Sequence, residues 1–126
     1  MGADLEMLAG LHIVVVEDDA NARVILGDLF SYFGANVTLA TSARDGLSTL
    51  RQVDPDVVVA DMRLGAHTAT WLIREARKIS CKAPFVAVTA YDFEERTLRA
   101  QGFTALLRKP LRRDDLLEAV TAAARG

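Results

Sequence analysis

The side chains able to do chemistry in this sequence stand where short apolar runs end. Glu17-Asp18-Asp19 follows Ile13-Val14-Val15-Val16, and Asp61 follows Val57-Val58-Val59-Ala60. Thr89 follows Phe85-Val86-Ala87-Val88, and Lys109 stands just past Ala105-Leu106-Leu107. Clustered carboxylates repel one another, so such a group favours a hard divalent cation held through oxygen, for which Mg²⁺ is the natural choice. Such an ion neutralises charge on the oxygens of a phosphoryl group in transfer. Asp61 would supply the nucleophile, Lys109 a point charge for one phosphoryl oxygen, and Thr89 a hydroxyl that donates to another. Taken singly, each has a plainer reading: Asp19 as a helix cap, Thr89 as a solvated strand end, Lys109 as a surface charge before the turn residue Pro110. Their joint placement carries the functional reading.

The elements that position them follow from hydrophobic pattern. The runs above, with Val37-Thr38-Leu39-Ala40, are mostly continuous rather than alternating, as in strands buried on both faces of a parallel sheet. Helical spacing lies between them. Val24, Leu26, Leu29, Phe30 and Phe33 suit one side of a first helix, closed by Gly34. Ser42 caps a second, with Leu47 and Leu50 inward, before Asp54-Pro55 breaks it. Trp71, Leu72, Ala76 and Ile79 mark a third, with Trp71 partly buried. Asp92 and Glu95 have capping-box spacing for a fourth helix ending at Gly102, and Leu116, Leu117, Val120 and Ala124 mark a fifth. Five strands alternating with five helices on short connections predict a doubly wound α/β fold. In open parallel sheets, functional groups gather beyond the carboxyl ends of the strands, which is where these residues fall.

The 126 residues fit one domain, read as a lead-in over residues 1–10 and a folded unit over 11–126. Lys plus Arg number 15 against 17 Asp plus Glu, a formal charge of −2, so no overall basic field draws the chain to nucleic acid or anionic membrane. The single cysteine, Cys81, has no internal disulfide partner, and no apolar run reaches membrane-spanning length. A reducing cytoplasm fits. The start MGADLEMLAG lacks a signal-peptide pattern, and Met1-Gly2 is only a weak myristoylation cue.

The segments VVVEDD, PDVVVAD, AVTAY and LRKP, in that order, resemble the receiver domain of two-component response regulators over roughly residues 11 to 125. The resemblance implies a flavodoxin-like sheet of strand order 2-1-3-4-5. It implies Asp61 as phosphoacceptor, fed by a histidine kinase or histidine phosphotransfer protein. Asp18 would ligate Mg²⁺ directly and Glu17 through water, joined by Asp61 and the backbone carbonyl of Arg63. Thr89 matches the switch hydroxyl, and Lys109, in a Lys109-Pro110 bond commonly cis in the family, matches the phosphoryl-binding lysine. Such a chain is a signalling switch that catalyses its own phosphotransfer and dephosphorylation rather than an enzyme acting on other substrates. Its output passes to a downstream protein through the face of helix four, strand five and helix five.

Departures from the family pattern set further expectations. The stretch after Asp61, Met62-Arg63-Leu64-Gly65-Ala66-His67-Thr68-Ala69, lacks the usual proline, which predicts a differently shaped or more mobile loop. Leu106 stands where an aromatic residue usually swings with the switch. Arg63 and Tyr91 occupy the positions that tune phosphoryl lifetime, Tyr91 by screening and Arg63 by pairing with acidic residues when metal is absent. The alternative is a degenerate receiver that binds a partner without phosphorylation. A haloacid-dehalogenase-like phosphohydrolase would need a second aspartate where Arg63 stands, and a dinucleotide site would need a glycine-rich turn where Glu17-Asp18-Asp19 stands. His12 reads as a strand start, His67 as a solvated loop residue, Cys81 as inert, and Arg112-Arg113 as a solvated helix start.

Overall fold

The computed structural model describes residues 4–126. The Met1-Gly2 cue and the first residues of the lead-in lie outside the described residues. Five strands form the main sheet: β1 (His12–Val16), β2 (Asn36–Ala40), β3 (Val57–Asp61), β4 (Phe85–Thr89) and β5 (Phe103–Arg108). The helices are α1 (Ala20–Tyr32), α2 (Ala43–Leu50), α3 (Ala69–Lys78), α4 (Glu95–Ala100) and α5 (Arg113–Arg125). All neighbouring strands of the main sheet run parallel, in the order β2-β1-β3-β4-β5. The expected strand order and helix count are therefore found.

Alternation along each strand divides the core into two layers. Val14, Val16, Val58, Ala60, Phe85 and Ala87 face α2, α3 and α4, where Leu50, Leu72, Ile73 and Leu98 close over them. Ile13, Val15, Val57, Val59, Val86 and Val88 face α1 and α5, meeting Leu26, Phe30, Leu116, Leu117 and Val120. Among the described residues no helix is long and apolar enough to cross a membrane.

Two local expectations are corrected. Val24 is half-exposed, because it lies about 200° around the helix from Leu26, and the stripe actually buried is Leu26, Gly27 and Phe30. The Asp92–Glu95 capping box does not form: α4 starts from Glu94 with no side-chain cap, while Asp92 pairs across space with Arg108. The stretch after Asp61, expected to be a differently shaped or more mobile loop, forms a two-stranded antiparallel ribbon, Arg63–Leu64 against His67–Thr68. Gly65, at φ +69, supplies its turn, and Thr68 then caps α3 by accepting from the Trp71 N–H.

The described part of the lead-in, from residue 4, reaches back to the domain. Leu8 is fully buried within the α1/α5 layer, and its N–H donates to the Phe33 carbonyl at 2.9 Å.

α1 and α3 end alike. In α1, Gly34 (φ +100) donates to the Ser31 carbonyl and Ala35 to Phe30; in α3, Ser80 (φ +66) donates to Arg77 and Cys81 to Ala76. This is the Schellman pattern, with a glycine in the left-handed position of one helix and a serine in the other. Ser80→Gly is expected to stabilise the chain by about 1 kcal/mol by relieving the left-handed Cβ clash. Urea unfolding checks this, and an unchanged or lower midpoint refutes it.

Candidate functional site

Sheet register brings the reactive residues to one edge. Val16 pairs with Ala60, so Glu17 and Asp61 follow side by side; Thr89 pairs with Arg108, so Lys109 comes next. The Lys109 N–H donates to the Thr89 carbonyl at 2.7 Å, and the Met62 N–H to the Val88 carbonyl at 2.9 Å, extending the ladders past the strand ends. The Lys109-Pro110 peptide is cis.

Lys109 Nζ lies 2.7 Å from Asp61 Oδ2 and 3.3 Å from Glu17 Oε1. The other Asp61 oxygen accepts from the Arg63 N–H at 2.9 Å. Burial of the Lys109 ammonium works against its charge, but the bond to Asp61 and the attraction of both carboxylates prevail, and its pKa is held above the ordinary lysine value.

Glu17 and Thr89 are the buried polar side chains among the described residues. Burial is the main force raising the Glu17 pKa. A bond from the Asp19 N–H opposes it, the Asp61 charge adds to it and Lys109 offsets part, leaving the value at about 6 against 4.5. The Thr89 hydroxyl accepts from the Tyr91 N–H at 3.0 Å.

The raised Glu17 pKa has a defined sign for stability. Below pH 4.5 Glu17 is protonated in both folded and unfolded chains; above about 6 it is ionised in both, and only the folded chain bears the burial cost. The Glu17 contribution therefore declines as pH rises between those values, by up to about 2 kcal/mol. Glu17→Gln lacks this decline, so in chelator its stability relative to the unsubstituted chain is expected to rise between pH 4.5 and 7. Paired urea titrations at the two pH values measure it, and a pH-independent difference refutes it.

Asp18 is exposed and leans over the ribbon, its Oδ2 standing 3.9 Å from where a Cβ on Gly65 would lie. Asp19 caps α1, accepting from the Ala22 N–H at 2.8 Å, as its plainer reading predicts. Glu17, Asp18 and Asp61 thus offer hard oxygen donors at one edge, and the donor chemistry fits Mg²⁺, which takes one or two protein carboxylates and keeps several waters. Among the described residues no three His, Cys, Asp or Glu side chains are gathered tightly enough to hold a metal by themselves.

Around this centre the loops meet. Arg63 does not pair with the acidic residues; its guanidinium lies over the Tyr91 ring, 4.1 Å from the centroid, because the ribbon brings it beneath the loop after β4. His67 is half-buried rather than freely solvated, stacked on Trp71 with centroids 4.0 Å apart. Leu106 is half-buried against the α2–α4 layer. His12 opens β1 and shares a 2.7 Å hydrogen bond with Thr38. Cys81 is buried, and Arg112 and Arg113 are exposed beside Asp115 and Asp114. One contributor escapes the sequence pattern. Arg23, on the first turns of α1, donates from Nη1 to the carbonyl oxygens of Glu17 at 2.9 Å and Asp18 at 3.5 Å. An arginine one turn into a helix reads as an ordinary surface residue until the loop folds back toward it.

A parallel sheet of this order with acidic strand ends defines a flavodoxin-like receiver fold. The family model of the response regulator receiver domain matches residues 13–121, and the chain belongs to that family. It is 29% identical over 114 residues to the transcriptional regulatory protein GlrR of Escherichia coli, covering 89% of this chain and 26% of that protein. The chain thus spans about a quarter of the length of that relative. It is 33% identical over 111 residues to an uncharacterized 14.6 kDa protein of Leptolyngbya boryana, covering 85% of each. Among solved structures, the receiver domain of the sensor histidine kinase PA1611 of Pseudomonas aeruginosa superposes with a TM-score of 0.84 at 22% identity, covering 94% of this chain and all of that one. That structure is described with a magnesium ion coordinated in its active-site cleft.

Proposed function

We propose that the chain is a phosphorylatable switch in a two-component phosphorelay of the reducing cytoplasm, taking a phosphoryl group on Asp61 from a histidine kinase or histidine phosphotransfer protein. The observation that carries this is the pairing of Asp61 Oδ2 with Lys109 Nζ at 2.7 Å beside the buried Glu17 carboxylate. In transfer, the phosphorus–nitrogen bond of a phosphohistidine breaks as a bond forms from phosphorus to an Asp61 oxygen. The electron pair leaves with the imidazole nitrogen, which departs as neutral imidazole when the other ring nitrogen already carries a proton and otherwise takes one up from solvent. Asp61 provides the nucleophilic oxygen. Lys109 stays close enough to follow charge onto the phosphoryl oxygens, and Thr89 offers a hydroxyl to another. Mg²⁺, held by Asp18 and Asp61, the Arg63 carbonyl and, through water, Glu17, would supply charge neutralisation at the transferring group. In dephosphorylation a water oxygen bonds to phosphorus as the phosphorus–oxygen bond to Asp61 breaks. The Asp61 carboxylate departs with the electron pair and inorganic phosphate is released, the water's protons staying on the phosphate or passing to solvent. Output passes to a downstream protein through α4, β5 and α5 when the phosphorylated site biases their arrangement. The receiver domain is assigned from residue 11, and Leu8 of the lead-in packs into its core.

Incubation with phosphoramidate and Mg²⁺ tests the reading. An acyl phosphate at Asp61, lost in hydroxylamine and absent from Asp61→Asn, is expected; no phosphoryl group at saturating Mg²⁺ would identify a degenerate receiver instead. Tyr91, half-exposed and carrying Arg63 on its ring, would screen that acyl phosphate. Tyr91→Ala is therefore expected to shorten its half-life severalfold, and an unchanged half-life refutes the screening.

A further inference from the structure

We infer that Arg23 is a positioning residue for divalent-cation binding, acting as a clamp on the backbone of the acidic pair; this rests on the phosphoacceptor reading above. One guanidinium nitrogen reaches the carbonyl oxygens of both Glu17 and Asp18, at 2.9 and 3.5 Å, from a helix whose own start is fixed by the Asp19 cap. The Asp19 N–H closes the loop from the other side by donating to Glu17 Oε2 at 3.1 Å. The loop is thus held at three points, and the acidic pair it carries cannot rotate without breaking them. Of these ties, Arg23 is the one made by a side chain to the carbonyls of both acidic residues. The exposed Asp18 makes no side-chain hydrogen bond of its own among the described contacts, so its direction depends on its backbone. Partners that orient metal ligands matter for affinity, commonly at the level of about 10–100-fold.

The charge of Arg23 and its clamp predict opposite results. A cation held on the backbone of the acidic pair repels a divalent ion, so if charge were its whole contribution, removing it would tighten Mg²⁺ binding. If the clamp dominates, Arg23→Gln weakens it. Lysine keeps the charge and can reach one carbonyl.

The experiment titrates Mg²⁺ into the full chain and into Arg23→Gln and Arg23→Lys. Binding is followed by the amide NMR shifts of Glu17, Asp18 and Asp19, with urea unfolding run in parallel. The expected result is roughly tenfold weaker Mg²⁺ binding in Arg23→Gln and partial recovery in Arg23→Lys, with phosphoramidate labelling restored at saturating Mg²⁺. Unchanged or tighter Mg²⁺ binding in Arg23→Gln overturns the clamp, whatever happens to stability. No Mg²⁺ binding by the unsubstituted chain overturns the phosphoacceptor reading first and the clamp with it.

Discussion

Lys109→Ala is expected to slow labelling of Asp61 by phosphoramidate by roughly 10²-fold or more at saturating Mg²⁺, the scale of losing one preorganised charge from a transferring group. The geometry makes the effect specific. Lys109 is bonded to Asp61 and lies within 3.3 Å of Glu17, so its loss leaves two neighbouring carboxylates without their shared counter-charge. Two measurements separate its action on the phosphoryl group from an action on the metal. With the ammonium gone, Mg²⁺ binding should hold or tighten, because a competing cation has left the site. A rate loss that extra Mg²⁺ does not cure then belongs to the phosphoryl group; labelling at the normal rate refutes the assignment. Stability should respond as well. Lys109 lowers the Glu17 pKa in the intact chain, so without it Glu17 holds its proton to higher pH. The variant should therefore lose stability more steeply than the unsubstituted chain as pH rises through 6 toward 8 in chelator.

The second large effect concerns a residue outside the folded unit drawn from sequence. Leu8→Ala is expected to cost about 2–4 kcal/mol, the range for a leucine removed from a closed core. Leu8 is fully buried among the residues that join α1 and α5 to the sheet, and its N–H holds the Phe33 carbonyl at the end of α1. Leu5, three residues earlier, is half-exposed and serves as the control, with an expected cost below about 0.5 kcal/mol. Equal urea midpoints for the two variants would mean that the lead-in is dispensable and that residue 11 is the true boundary.

The strands and the acidic edge were legible because their signals are local and chemical. Continuous runs such as Val57–Ala60 have one comfortable home, the interior of a parallel sheet, and once they are placed, parallel register puts Glu17, Asp61, Thr89 and Lys109 at one end. What sequence did not disclose depends on partners far along the chain. Asp92 has the spacing of a cap, but Arg108 arrives from β5 and takes its carboxylate. Arg63 could have answered an acidic neighbour, yet the ribbon, only two residues per strand, carries it to the Tyr91 ring. No periodicity is long enough to announce such a ribbon; Gly65 is its sole local sign. Leu8 stands in a short polar-flanked segment where burial cannot be inferred without knowing what α1 leaves uncovered. Arg23 acquires its meaning only when the carbonyls of Glu17 and Asp18 turn toward it.

The stacking of His67 on Trp71 gives the chain an optical property. Trp71 is its one tryptophan, and the imidazole against it belongs to the ribbon that begins two residues after Asp61. Indole emission depends on what lies on its face. Ultraviolet fluorescence of the unmodified protein therefore reads the seating of the ribbon on α3, without label or substitution, and can be followed in real time while phosphoryl donor is added.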